Sequence, residues 1–149
     1  MSDMGVSIKI PASLQAVIAA NITAKLQENL VAAATDLMLA ARANAPVDTG
    51  HLQRNIHAVL PGQQDAGTPE VEAIPGLLAG PGQAFVIAKT HRSGDKNGTT
   101  ERDRGDYAFY QEFGPASAAD PNGRHFMLKA IEEVDGKYPG VKIGDIVAG

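Results

Sequence analysis

Residues 12–45, ASLQAVIAANITAKLQENLVAAATDLMLAARANA, run without a glycine or a proline. They are crowded with Ala, Leu, Gln, Glu and Lys, which are strong helix formers. Leu14, Val17, Ile18, Ile22, Leu26, Leu30 and Leu37 recur mostly at spacings of three and four, laying one apolar stripe along a helix. Ser13 stands where an N-cap belongs, and Pro46 forces a stop. The pattern predicts one helix of about 32 residues, roughly 48 Å long at 1.5 Å per residue. A compact chain of this size is only about twice a ~15 Å radius of gyration across. Part of the helix surface therefore needs cover from outside the chain, and a neighbouring copy is the simplest source.

On the N-terminal side, Val6-Ser7-Ile8-Lys9-Ile10 alternates apolar and polar residues, the period of a half-buried strand, and Pro11 ends it. On the C-terminal side, Asp48-Thr49-Gly50 reads as a turn in which Asp48 or Thr49 caps a short helical turn through Leu52 and Arg54. Ile56-His57-Ala58-Val59-Leu60 and Ala84-Phe85-Val86-Ile87-Ala88 read as strands. Between them, residues 61–82 are rich in Pro, Gly and Ala, and Val71-Glu72-Ala73-Ile74 is the one piece that looks extended. Residues 89–106 carry five Lys or Arg and four Asp or Glu. Such a segment cannot bury apolar area and reads as a polar loop that a partner would order. Tyr107, Phe109, Tyr110 and Phe113 then concentrate most of the chain's aromatic bulk. The cluster fits a helix or a strand, and a core or a subunit interface equally well. A second helix is expected from about His125 to Asp135, with Met127, Ala130, Ile131 and Val134 on one face. The tail, residues 138–149, carries Val141, Ile143 and Ile146 and is more apolar than a loose terminus needs, so it reads as an arm laid on a neighbour. The expectation is a single domain over 1–149 with its core in 6–135. The fold class is α+β: one long N-terminal helix packed on a small, mostly antiparallel sheet, plus a shorter C-terminal helix.

The 149 residues suit one domain, and 13 Lys and Arg against 17 Asp and Glu leave a net charge of −4. That balance argues against a protein built to grip nucleic acid. The absence of cysteine excludes disulfides, thiol catalysis and thiolate metal sites. No apolar run of about 18 residues exists, so no membrane span is expected, and the first residues lack the pattern of a signal peptide. His51, His57, His91 and His125 show no metal-binding spacing, so no metal and no cofactor is expected. Asp48-Thr49-Gly50 is also the triplet of aspartic proteases, which would make a small hydrolase using Asp48. That chemistry needs the triplet on a loop hung from apolar strands, whereas here it follows a helix, and capping is the better reading. His91, Arg92, Lys96, Arg102 and Arg104 could touch phosphates. Asp95, Glu101, Asp103 and Asp106 interleave with them and no aromatic accompanies them, which favours a protein contact over a DNA-binding accessory role.

Three segments together resemble one family. Ala45-Pro46-Val47-Asp48-Thr49-Gly50-His51-Leu52-Gln53-Arg54-Asn55-Ile56 is similar to the A-P-V-D-T-G-x-L-x-x-S-I block that follows the long helix in minor tail proteins of long-tailed bacteriophages. This is the tail-completion, or head–tail joining (neck), family. Tyr107-Ala108-Phe109-Tyr110-Gln111-Glu112-Phe113-Gly114 resembles its Y-A-x-Y-x-E-F-G-T block, and Phe126-Met127-Leu128-Lys129-Ala130 its P-F-M-x-P-A block. Pro115, His125 and Lys129 depart from Thr, Pro and Pro in those patterns. The resemblance spans roughly residues 6–135 and implies a structural virion protein of the neck or tail without enzymatic activity, assembled in the host bacterial cytoplasm. It implies a closed ring of six or twelve copies meeting adaptor, tail-tube or terminator proteins, with DNA only passing through the lumen and no membrane contact. An acidic surface suits such a channel. A tail terminator that stops tube growth is the structural alternative. On this reading the working residues are interfaces: Tyr107, Tyr110, Glu112 and Phe113, the loop cations Arg92, Arg102 and Arg104, and Val141, Ile143 and Ile146 of the arm. Asp48, Thr49, Gly50 and Leu52 would fix the helix exit.

Overall fold

Leu26, Leu30, Ala33, Ala34, Leu37 and Ala41 are buried along one side of a helix, α1, that runs from Ala20 to Asn44. The computed structural model describes residues 4–11, 20–46, 50–89, 107–114 and 121–148. The expected start of the long helix, with Ser13, Leu14, Val17 and Ile18, lies outside them. At 1.5 Å per residue the described helix is about 37 Å long. It ends two residues before Pro46, whose ring disfavours helical backbone at the residue preceding it.

The strands are β1 (Met4–Lys9), β2 (Ile56–Val59), β3 (Gln83–Ala88) and β4 (Lys142–Ala148). They form one sheet in the order β2-β3-β1-β4, and every pairing is antiparallel. Alternation in β1 sends Met4, Val6 and Ile8 into the core beneath α1, where Ala84, Val86 and Ala88 of β3 join them. Among the described residues, three shorter helices join them: α2 (His51–Arg54), α3 (Tyr107–Phe113) and α4 (Phe126–Val134). The aromatic cluster is thus helical. Met127, Ala130 and Val134 of α4 are buried with Phe126, and Ile131 packs against the same core. Leu52 of α2 is buried there too. Gly50 stands at the N-cap of α2 in the left-handed region (φ 79) without a side-chain cap. Asp48 and Thr49 lie outside the described residues.

The C-terminal segment departs from the expected arm. Residues 142–148 are the fourth strand of this chain's own sheet, paired to β1, and Val141, Ile143 and Ile146 pack against its own core. The tail's apolar content thus belongs largely to the fold. The register makes this possible: Ile146 pairs with Val6 and Ile143 with Ile8, so β4 carries an extra residue opposite Ser7. A bulge of this kind turns two isoleucines three positions apart onto one face.

Residues 61–82 contain no regular strand, and Val71-Glu72-Ala73-Ile74 is not one. The segment folds back over the other face of the sheet, where Ile74 and Leu77 pack with Val59, Ala79, Phe85 and Ile87. Asp65 holds it there. Its Oδ1 accepts from Gly67 N (2.9 Å) and faces His57 Nε2 (2.8 Å), and its Oδ2 accepts from Ile74 N (2.8 Å). The Thr68 hydroxyl donates to Asn55 Oδ1 beside it. Burial alone would push the Asp65 carboxyl up, but the Ile74 and Gly67 amides and His57 together outweigh it and hold the group below its ordinary value. Because the folded value lies below the unfolded one, this stabilisation is complete above about pH 4 and disappears as pH falls through the folded value. Asp65→Asn keeps the shape but removes the charge, and is expected to cost about 1.5 kcal/mol at neutral pH. Urea titrations at pH 7 and at pH 3 should show the difference between the two proteins narrowing in acid.

Candidate functional site

Helix α3 ends at Gly114, in the left-handed region (φ 85), and the chain returns through Gly123 (φ 87) towards α4. The two segments touch through their backbones, and Arg124 N donates to Gln111 O at 2.7 Å. This crossing carries Glu112 beneath the first turn of α4. The residue at the N-cap of α4 is His125, itself at φ 55 and without a side-chain cap, so the exposed amides of that turn need an acceptor from elsewhere. Glu112 supplies it: its Oε1 accepts from Met127 N at 2.6 Å and its Oε2 from Leu128 N at 3.4 Å, with His125 Nδ1 at 3.5 Å. The side chain is fully buried. Burial pushes its carboxyl above the ordinary value, and the Met127 and Leu128 amides and His125 offset only part of that.

The Glu112 carboxylate is engaged inside the chain and ties α3 to α4. Phe113, the next residue, turns outward and is 42% exposed. It lines a groove of about 430 Å³ between the end of α3, α4 and β4. Leu128, Ile131, Ile143 and Ile146 form its apolar lining, and Glu112, His125, Asp135 and Asp145 its polar one. Of the residues singled out from the sequence, the structure therefore gathers Glu112, Phe113, Ile143 and Ile146 in one place. Val141 packs on the core beside them. Gly50 and Leu52 sit apart, at α2. Tyr107 and Tyr110 lie on α3, Arg92, Arg102 and Arg104 lie outside the described residues, and so does Asp48.

Leu128, Asp135 and Asp145 are the groove residues that sequence reading missed. Leu128 falls off the apolar face of its helix, where it is 42% exposed, and its neighbours across the groove are apolar. The chemistry on offer is that of recognition. Apolar side chains surround a concave surface and two carboxylates stand on its rim. Among the described residues no group of His, Asp and Glu could hold a metal ion, and no helix is long and apolar enough to cross a membrane.

The family model described as "Bacteriophage HK97-gp10, putative tail-component" matches residues 8–114. No curated protein and no solved structure matches the chain.

Proposed function

The chain belongs to the HK97-gp10-like family of bacteriophage tail components, and from that membership we propose that it is a ring-forming tail-completion, or head–tail joining, protein. Its work is structural: it sits in the virion, at the neck or tail, and meets copies of itself and other tail proteins. The observation that carries this reading is the groove beside α4. The family match covers residues 8–114, and the groove, lined mainly by residues beyond that stretch, adds an apolar concavity that the described residues leave open. Exposed apolar surface with a polar rim is what a protein contact requires. Closed rings arise when one face of a subunit fits a different face of the next, and six or twelve copies suit a neck or tail. DNA would pass through the lumen, for which the chain's net charge of −4 provides little phosphate affinity.

Deletion of the coding sequence from the phage or prophage that carries it tests the reading. The expected result is filled heads and finished tails that fail to join. Overlong tail tubes would identify a terminator instead, and normal infectious particles would refute both.

A further inference from the structure

We propose that His57 is a buried imidazolium that latches residues 61–82 onto the outer face of the sheet, and that loss of its proton loosens this cover. The ring belongs to β2, and both of its nitrogens face oxygen. Nδ1 lies 3.2 Å from the Asn55 carbonyl and Nε2 lies 2.8 Å from Asp65 Oδ1. A carbonyl oxygen has no proton to give. Nor has this carboxylate, since Oδ1 already accepts from Gly67 N and Oδ2 from Ile74 N, and these contacts favour its ionised form. Two acceptors require two donors, and an imidazole carries two N–H groups only when it is charged. In either neutral tautomer one nitrogen lone pair would face an oxygen.

The pair is shielded from water, with the His57 side chain 11% and the Asp65 side chain 0% exposed. A charge in such a place needs a partner of opposite sign. Among the described residues, Asp65 is the charged group within hydrogen-bond reach of the ring. The neighbour of His57 on β3 is Ile87. On α1, Arg42 donates to Ile56 O. At the end of α2, Arg54 pairs with Glu70 of the cover at 2.7 Å. Lys89, one residue past β3, and Glu72 of the cover are engaged with other groups. The cover that Asp65 organises lays Ile74 and Leu77 on Val59, Phe85 and Ile87, and beside it runs an apolar slot of about 260 Å³. The closed cover requires the proton and the open one does not, so raising pH through the ring's titration favours opening and widens the slot. At the acid end, protonation of Asp65 removes the carboxylate, so the latch holds in the window between the two titrations.

A long-range proton–nitrogen correlation spectrum of the isotope-labelled full-length protein shows which ring nitrogens carry protons. The expected result is two protonated nitrogens on His57 within the window. On raising pH the proton leaves Nδ1, while Nε2 keeps its bond to Asp65. Over the same pH step, opening constants from hydrogen exchange at the Gly67 and Ile74 amides should rise about ten-fold, the gap between a charge-assisted and a neutral hydrogen bond. Buried amides of α1 should not change. His57→Gln keeps an N–H donor for Asp65 and does not titrate, so its opening constants should show no such step. A ring that carries a single proton wherever the chain is folded overturns the proposal. So does a ring titration that leaves exchange in the cover unchanged, or a step that persists in His57→Gln.

Discussion

Replacing Glu112 by alanine is expected to lower the unfolding free energy by about 3 kcal/mol, because it leaves two amides of α4 without an acceptor and opens a void where a buried side chain stood. The Met127 amide gives the shorter bond, 2.6 Å, and the Leu128 amide the longer, 3.4 Å. Neither is offered a side-chain acceptor by the residue at its own N-cap, since His125 makes none. Glu112→Gln separates the hydrogen bond from the charge. It keeps an oxygen for Met127 N and removes a buried carboxylate, so it should stay within about 1 kcal/mol of the parent at neutral pH. The pH dependence distinguishes the two further. Burial raises the Glu112 carboxyl in the fold, so the folded state binds the proton more readily than the unfolded chain does. Its contribution is therefore unfavourable above the folded value and fades as pH falls through that value towards the unfolded one. The parent should show this relief on mild acidification and Glu112→Gln should lack it. Urea unfolding at several pH values measures both effects. A Glu112→Ala protein as stable as the parent would show that the amides of α4 need no such partner.

The elements of the fold were legible because periodicity and punctuation agree in them. Leu26, Leu30 and Leu37 mark the buried side of α1 by spacing alone, and Pro46 marks its end. Val6 and Ile8 mark the inner face of β1 by alternation. The C-terminal strand was misread because Ile143 and Ile146 lie three apart, which breaks the period of two that identifies a strand. Only the pairing with Val6 and Ile8 shows that a bulge restores their common face. The cover over the far side of the sheet was illegible for another reason. Its organiser, Asp65, lies in a loop with no periodicity and bonds to His57 on β2, eight residues before it, and to Ile74, nine residues after it. The groove was half legible. Phe113, Ile143 and Ile146 drew attention as apolar residues in unexpected places, whereas Leu128, Asp135 and Asp145 acquire meaning only once α4 and β4 lie side by side. Glu112 drew attention through its sequence block. In the fold its carboxylate accepts from the Met127 and Leu128 amides at the start of α4.

Gly123→Ala is expected to cost about 3 kcal/mol, combining left-handed backbone strain with overpacking against a main chain that cannot rotate away. Gly123 sits at φ 87, and a Cβ there would press into the carbonyl group of Glu112, with the Gly114 amide at 2.7 Å. The reverse holds at Gly114, where a Cβ at φ 85 would meet the backbone of Pro121, Asn122 and Gly123. Backbone atoms held in a crossing have less freedom to yield than the end of a flexible side chain. Gly136→Ala provides the control, since that glycine has φ 82 but nothing within 4 Å of the added carbon. It should lose only the conformational part, about 1 kcal/mol. Because Gly114 and Gly123 serve one contact, the Gly114→Ala, Gly123→Ala double variant should cost less than the sum of the singles, a coupling that thermal or urea unfolding of the four proteins measures. The crossing also carries Glu112 to the helix it caps. Separating these strands of backbone should therefore loosen α4 and the wall of the groove together, and hydrogen exchange should show faster loss of protection at Met127 and Leu128 in Gly123→Ala than in Gly136→Ala. Equal protection in the two variants would mean that the glycine crossing and the carboxylate cap act independently.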